Sequence, residues 1–327
     1  MKKYRKKRLV PVPLASSRLR RPARVPPEPA GSQRYGVTVH FFTGSETIRH
    51  RWAAALVLAV AAASCREAPR PIIAGTGHIQ AIVRDLTDGE REVRTLIPPA
   101  MCPGHFDMRP SDLEALARGG LLIIAAWQRH LPNVADVIQA ARVPPDRLCV
   151  IDVPENWMVP ARQAEAIEAV ARVLEDHAAD PVPDATTKAA GRVQAVRAFG
   201  QQLKRRLAEA EPGGVGVLCD EQQADFVRWA GFDIAATYGR PEDLSVAAVE
   251  HLIEQGRRRR VALVIDNLQS GDAKTGAALA RDTGAVHVVL SNFPGGFDGT
   301  ETWEKAVERN VGLLLGAIEQ RRRGHAP

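Results

Sequence analysis

The sequence is poor in the patterns that announce an enzyme. A Gly-Thr-Gly at 75–77 lacks the rest of a dinucleotide fingerprint, there is no Walker lysine pattern, and no Gly-x-Ser-x-Gly elbow occurs. Cysteine is scarce, four residues in 327, at Cys65, Cys102, Cys149 and Cys219. Acids are almost missing from residues 1–64, where 13 Lys and Arg meet only Glu28 and Glu46. The net charge of +6 therefore belongs to that segment, and the remainder, with 31 basic and 36 acidic residues, is negative. A body of that sign removes the main support for nucleic-acid binding. With 45% hydrophobic and 25% charged residues, what is there is globular and long enough for two lobes with their own cores.

The one strongly apolar run is "IRHRWAAALVLAVAAASC", residues 48–65. Basic Arg49 and Arg51, an apolar stretch of secretory length and a small-residue ending mark a signal peptide, too short to span a bilayer as a stable helix. Its end, Ala62-Ala63-Ser64-Cys65, looks like a lipobox in which Cys65 is lipidated and becomes the mature N-terminus. That predicts an extracytoplasmic protein, lipid-anchored at the membrane or periplasmic. Residues 1–47, basic and Pro-rich, are either a disordered tail or an upstream region from a misassigned start, with Val37 or Val39 marking a GTG codon. With Cys65 lipidated, three thiols remain, an odd number that leaves at least one unpaired.

Beyond the signal, periodicity predicts α/β structure. A short strand at 72–74 is followed by a helix carrying Ile79, Ile82, Val83 and Leu86, then a strand closed by Pro98-Pro99. Ser111, three residues before Glu114, suggests a capping box for a helix ended by Gly119-Gly120. "LLIIAAW" is continuous in apolar residues, as a sheet buried on both faces requires. A strand around Cys149 and an amphipathic helix complete a first lobe, 70–182. A long Pro-free helix, 183–211, carries Val193, Val196, Phe199 and Leu203. A second lobe, 213–327, reads as strand "VGVLC", helix "EQQADFVRWAG", helix "VAAVEHLIEQGRRR", strand "VALVID", helix, strand "VHVVLS" and a closing helix. The expected fold is two parallel-sheet α/β lobes joined by one long helix, with a ligand cleft between them.

Open parallel sheets bind ligands beyond the carboxyl ends of their strands, so the residues there are the candidates. They are His78, Cys102 and His105, Glu155, Cys219-Asp220-Glu221, Asp266-Asn267 and Ser291-Asn292. Several are metal-capable. Cys102 and His105, three apart in a Pro-Gly turn, are open to three readings: a redox thiol, a soft metal-ligand pair, or turn residues. No resolving cysteine lies near Cys102 in sequence.

From Arg70 onward the order of segments resembles the solute-binding proteins of zinc and manganese ABC transporters, the high-affinity metal-binding lipoprotein family. "IPPAMCPGHFDMRPSDLEALA" is similar to that family's Pro-Pro-Gly, Asp-Pro-His and Pro-Ser-Asp run. "PENWMVPARQAEAIEAVARVLEDHAADP" looks like its Pro-His-x-Trp-Leu segment, and "CDEQQADFVRWAGF" like its His-x-x-x-x-Tyr-Phe-Ala-x-x-Tyr-Gly. "ARDTGAVHVVLSNF" resembles the Ala-x-Glu-Thr-Gly strand, and "TWEKAVERNVGLLLGAI" the terminal helix with Asn310. The resemblance implies a metal ion held between the lobes, delivery to an ABC permease and its ATPase, a monomer, and no enzymatic activity. It implies release by small local shifts, because the long helix restricts opening.

The resemblance places His105 on the first family ligand, Glu155 where a second His is usual, and Asp220 at the His/Glu position. The fourth position holds Ser291-Asn292, with Asp266 the nearest substitute carboxylate. Cys102, Cys219, Glu221, His78 and Asn292 are further candidates. The oxygen-rich set would favour hard ions such as manganese or iron, whereas Cys102 and Cys219 joining His105 would suit zinc or copper. A metal chelate or oxyanion on the same frame stays open, as does a metal-dependent hydrolase, which would need an open coordination position with bound water.

Each candidate also has a plainer role. Asp220 or Glu221 would cap the helix starting near Gln222, Glu155 would be a solvated turn acid, and Cys149 a core thiol. His130, His177, His251 and His287 have no partners at ligand spacing, and "GRRRR" at 256–260 reads as a solvated helix end.

Overall fold

The computed structural model describes residues 70–177, 181–271 and 274–324. The proposed signal peptide, Cys65 and the basic segment before them lie outside the described residues.

The first lobe contains β1 (Ile72–Ala74), α1 (Gly77–Leu86), β2 (Val93–Thr95), α2 (Pro110–Arg118), β3 (Leu121–Ala125), α3 (Pro132–Ala140), β4 (Leu148–Ile151) and α4 (Pro160–Asp176). Its strands pair in parallel in the order β2-β1-β3-β4. The long helix α5 (Ala185–Glu209) leads to the second lobe. That lobe contains β5 (Gly216–Asp220), α6 (Ala224–Ala230), β6 (Asp233–Tyr238), α7 (Val246–Arg258), β7 (Leu263–Asn267), α8 (Lys274–Thr283), β8 (Val286–Leu290) and α9 (Trp303–Arg323). Its sheet is again parallel, in the equivalent order β6-β5-β7-β8. Two sheets of the same order are what repeated strand-helix-strand units produce. No helix among the described residues is long and apolar enough to cross a membrane.

Local chemistry explains most boundaries. Thr76 caps α1, its hydroxyl accepting from the Ile79 N–H, and Thr302 caps α9 by accepting from Lys305. Pro110, Pro132 and Pro160 each open a helix, where a missing N–H costs nothing. Pro110 also corrects the expected Ser111 cap. The cap is Arg109 and the helix starts at Pro110, two residues earlier than expected, and the backbone N–H of Arg109 is met by the Asp112 carboxylate at 2.9 Å.

Two elements, the short helix α3 and the strand β6, are not revealed by sequence patterning. In β6, "DIAATY" has no strong alternation and stands at a sheet edge, so little of its apolar content needed to be buried. It pairs with β5 through a register shift between Val217 and Leu218. The connection that it creates brings Arg240 to the carboxyl end of the sheet.

One hydrophobic core runs through both lobes. It passes from β1 and β3 through α1, α4 and α5 to β5, β7, α6 and α9. Val193, Val196, Leu203 and Leu207 line the buried stripe of α5, and Phe199 meets Trp303 edge-on at 6.1 Å. Smaller cores cover the outer face of each sheet, around Phe106 and Ile124 in the first lobe and around Tyr238 and Leu252 in the second.

The packing of α5 on α4 supplies a paired test. At Gly200 a Cβ would lie 2.5 Å from the Pro160 ring, whereas at Gly191, on the same helix, a Cβ would meet nothing within 4 Å. Gly200→Ala should lower unfolding stability by about 1–3 kcal/mol through forced separation of the helices. Gly191→Ala should raise it by about 0.5–1 kcal/mol through helix propensity. Urea unfolding midpoints of the two variants check both signs.

Candidate metal-solute cleft between the lobes

A cavity of about 420 Å³ opens between the lobes, lined from both sides by residues following strand carboxyl ends. The first lobe contributes His78, Trp127 after β3, and Glu155 to Trp157 after β4. The second contributes Glu221 and Gln222, Arg240, Gln269, Asn292 and Phe293. Parallel sheets place their ligand crevice at this end.

Amides tie the two walls together. The Asn156 Nδ2 donates to the Gln222 carbonyl at 3.0 Å and to Asn292 Oδ1 at 2.7 Å. Gln269 Nε2 donates to the Pro99 carbonyl at 2.7 Å, while Gln269 Oε1 accepts from the Asn292 N–H. Asn310, fully buried on α9, holds the backbone of Ser291 from both sides, accepting from its N–H and donating to its carbonyl. The turn after β8 is thereby fixed against the cleft.

His78 belongs to the same contact. It is buried between Trp157 and Phe293, and its Nε2 lies 2.7 Å from the Asn292 carbonyl. A carbonyl can only accept, so Nε2 carries the proton. Burial pushes the His78 pKa down to about 4, against smaller raising effects of the Asn292 carbonyl and Gln163, so the imidazole is neutral in use.

The candidates taken from the resemblance are not brought to one point. Among the described residues, no three His, Cys, Asp or Glu side chains are arranged to hold a metal ion. Glu155 sits at φ 66°, and its two oxygens accept from Arg162 at 2.7 and 3.0 Å. That guanidinium keeps the Glu155 carboxyl below the usual range and commits it to the helix. Asp220 accepts from the Gln222 N–H at 2.8 Å, so the capping role holds, and its side chain borders a separate small cavity behind the cleft. Burial raises its pKa to about 6, partly offset by the hydrogen bonds from Gln222 and Ser270.

Asp266 is engaged on the far side of its sheet. Its Oδ1 accepts from the Tyr238 hydroxyl at 2.5 Å, and its Oδ2 lies 2.6 Å from His287 Nε2. The β7–β8 register places Val264 opposite His287, so Asp266, two residues on, shares its face. His287 therefore has a partner that its position in the sequence did not reveal.

Cys219 faces the central core with Val217, because alternation along β5 turns Leu218 and Asp220 the other way. Burial pushes its thiol pKa well up, and the side chain packs within the core rather than at the cleft. Cys149 is half-buried against that core, with its thiol also raised by burial, in keeping with a packing role. Cys102, Cys149 and Cys219 are all free thiols.

Cys102 and His105 stay together. Cys102 Sγ lies 3.3 Å from His105 Nδ1 at the cleft rim, and Glu242 of the second lobe places Oε1 4.0 Å from the same nitrogen. Neighbouring Pro103 lines the cavity. Glu242, Arg240, Asn156, Gln269 and Trp127 are site residues that sequence reasoning did not single out. All but Glu242 line the cavity; Asn156, Gln269 and Trp127 could have been found by their place beyond a strand that the sequence reveals, whereas Arg240 and Glu242 follow β6, which it does not.

The His78 geometry gives a pH test. A base whose folded pKa is lowered supports the fold fully above its unfolded pKa of about 6.5, and that support is lost as pH falls toward about 4. At pH 5 the loss is about 2 kcal/mol. His78→Gln should therefore be less stable than the parent at pH 7.5 yet lose about 2 kcal/mol less on acidification to pH 5, as measured by chemical unfolding at the two pH values.

Residues 72–317 match the family described as zinc-uptake complex component A, periplasmic. No curated protein sequence matches the chain. Among solved structures, the Mn-bound periplasmic metal binding protein of Candidatus Liberibacter asiaticus is similar at 14% identity. It covers 76% of this chain and 99% of its own, with a TM-score of 0.62. The cadmium-bound form of that protein gives 15% identity with the same coverage and TM-score. The binding protein FpvC of P. aeruginosa, in complex with Ni2+, gives 18% identity over 79% of this chain and 99% of its own, TM-score 0.63. At these identities the likeness is one of fold, and the family match extends over most of the chain: this protein belongs to the periplasmic zinc-uptake component A family.

Proposed function

We propose that this chain is the solute-binding component of an ABC metal importer, working outside the cytoplasm and not as an enzyme. It captures a transition metal between its lobes and passes it to a permease driven by an ATPase. The observation that carries this reading is the cleft itself. Family membership supplies the class, and two parallel sheets present their carboxyl ends to one cavity between the lobes.

The protein's own metal donors in this reading are His105 and Cys102 at the rim, with Glu242 approaching from the other lobe. An imidazole and a thiolate together suit zinc, copper(I) or nickel better than manganese. Glu155, Asp220 and Asp266 serve the frame instead, through Arg162, the Gln222 N–H, and the Tyr238 and His287 side chains. Cys65 carries the lipid that keeps the monomer at the membrane. Cargo release proceeds by local shifts at the rim rather than by wide opening, because one core binds both lobes.

Elemental analysis of protein purified without chelators tests this. The parent should carry close to one equivalent of a transition metal. His105→Ala and Cys102→Ser should each lower the retained metal at least about tenfold. Metal content near zero in the parent, unchanged on titration with metal ions and their complexes, would remove the carrier reading.

A further inference from the structure

If the cleft carries a metal, as proposed above, its walls bear on the form in which that metal arrives. A bare ion is enclosed by four to six donors at about 2.0–2.3 Å and leaves no large space around it. The cleft offers the opposite arrangement. Its volume of about 420 Å³ lies within the range of roughly 300–1,000 Å³ that takes small organic ligands. Among the described residues, no three metal-capable side chains converge in it.

The walls carry bridging amides, the carboxylates Glu155, Glu221 and Asp225, the last paired with Arg228, and one guanidinium. Asn156 and Gln269 are consumed in joining the lobes. Arg240 is different: it is half-buried on the cavity wall, and no carboxylate lies within ion-pair distance of it among the described residues. A side chain at Gly104 would meet its guanidinium at 3.3 Å, so the glycine leaves that group room beside the Cys102–His105 turn. A planar cation held without a partner suits a carboxylate or another oxyanion of a ligand.

Trp127 supplies the second recognition element. It lines the same cavity and is 40% exposed, although most large apolar side chains of this protein are buried. An exposed indole on a cavity wall is a platform for a flat, unsaturated group. Glu155 is drawn toward α4 by Arg162, a guanidinium that it shares with Glu165.

We propose that the cleft takes its transition metal as a small anionic organic chelate. The chelator occupies the cavity, its acidic group meets Arg240 and its flat portion lies on Trp127, while the metal faces the Cys102–His105 rim. No covalent bond is made or broken in the chelator. The protein donors complete coordination positions that the chelator leaves open.

The test titrates the purified full chain, by calorimetry and tryptophan quenching, with Zn2+ and Mn2+ alone, with iron(III) citrate, and with the zinc complex of 8-hydroxyquinoline-5-sulfonate. The metal-free chelators serve as references. The expected result is that at least one complex binds at least about tenfold more tightly than free Zn2+, free Mn2+ or its own chelator alone. Arg240→Gln and Trp127→Ala should each weaken that binding about tenfold or more, with folding unchanged because neither side chain is in a core. Free Zn2+ or Mn2+ binding at one equivalent as tightly as any complex would overturn the chelate inference and leave the metal carrier standing. Binding of a complex that is indifferent to both substitutions would overturn it too. Absence of binding by ions and complexes alike would remove the carrier reading itself.

Discussion

The structure depends on the continuity of one hydrophobic core through two sheets. In many two-lobed proteins each lobe has a core of its own and the joint between them is the weak point. Here α5 lies along both lobes, and residues from Ile72 to Ile318 contribute to the same buried set. Opening the lobes widely would expose that surface at about 25 cal/mol per Å², which quickly exceeds the stability of an ordinary domain. The two walls of the cleft are therefore held together by one core. The specificity of the cleft has to reside in what the walls display.

That constraint explains the use of amides. Asn292 stands at the fourth expected ligand position, and Asn156 and Gln269 bond to it and to backbone groups across the divide. Neutral amides satisfy donors and acceptors together without burying net charge, so they can close a buried seam at modest cost. His78 joins this seam as a neutral ring for the same reason. Of the charged groups, Glu155 is held by Arg162 and Asp266 by Tyr238 and His287, while Glu221, Asp225 and Arg240 also line the cavity.

Much of this was legible in the sequence. Apolar runs such as Leu121 to Ala125 and the repeated strand-helix order specify parallel sheets buried on both faces, and the stripe on α5 follows from Val193, Val196 and Leu203. The capping role of Asp220 and the packing role of Cys149 are also readable, since both depend on neighbours in the chain. β6 was not readable, because an edge strand needs little apolar content, and with it went Arg240 and Glu242. The expected ligand set assumed that residues at equivalent places in the sequence point to one place in space.

The architecture is written in local sequence: the succession of strands and helices, the long helix between two lobes, and which loops stand at the carboxyl ends of the sheets. Periodicity and turn chemistry act over a few residues, and a linear sequence carries them in full. Only the tertiary structure decided which side chains of those loops meet. Asp266 finds His287 through strand register, Asn156 finds Asn292 across 136 positions, and Cys219 turns into the core by alternation from a register that pairing fixes. Such choices depend on where two distant segments are brought together by a shared core, and that relation is absent from any single stretch of sequence.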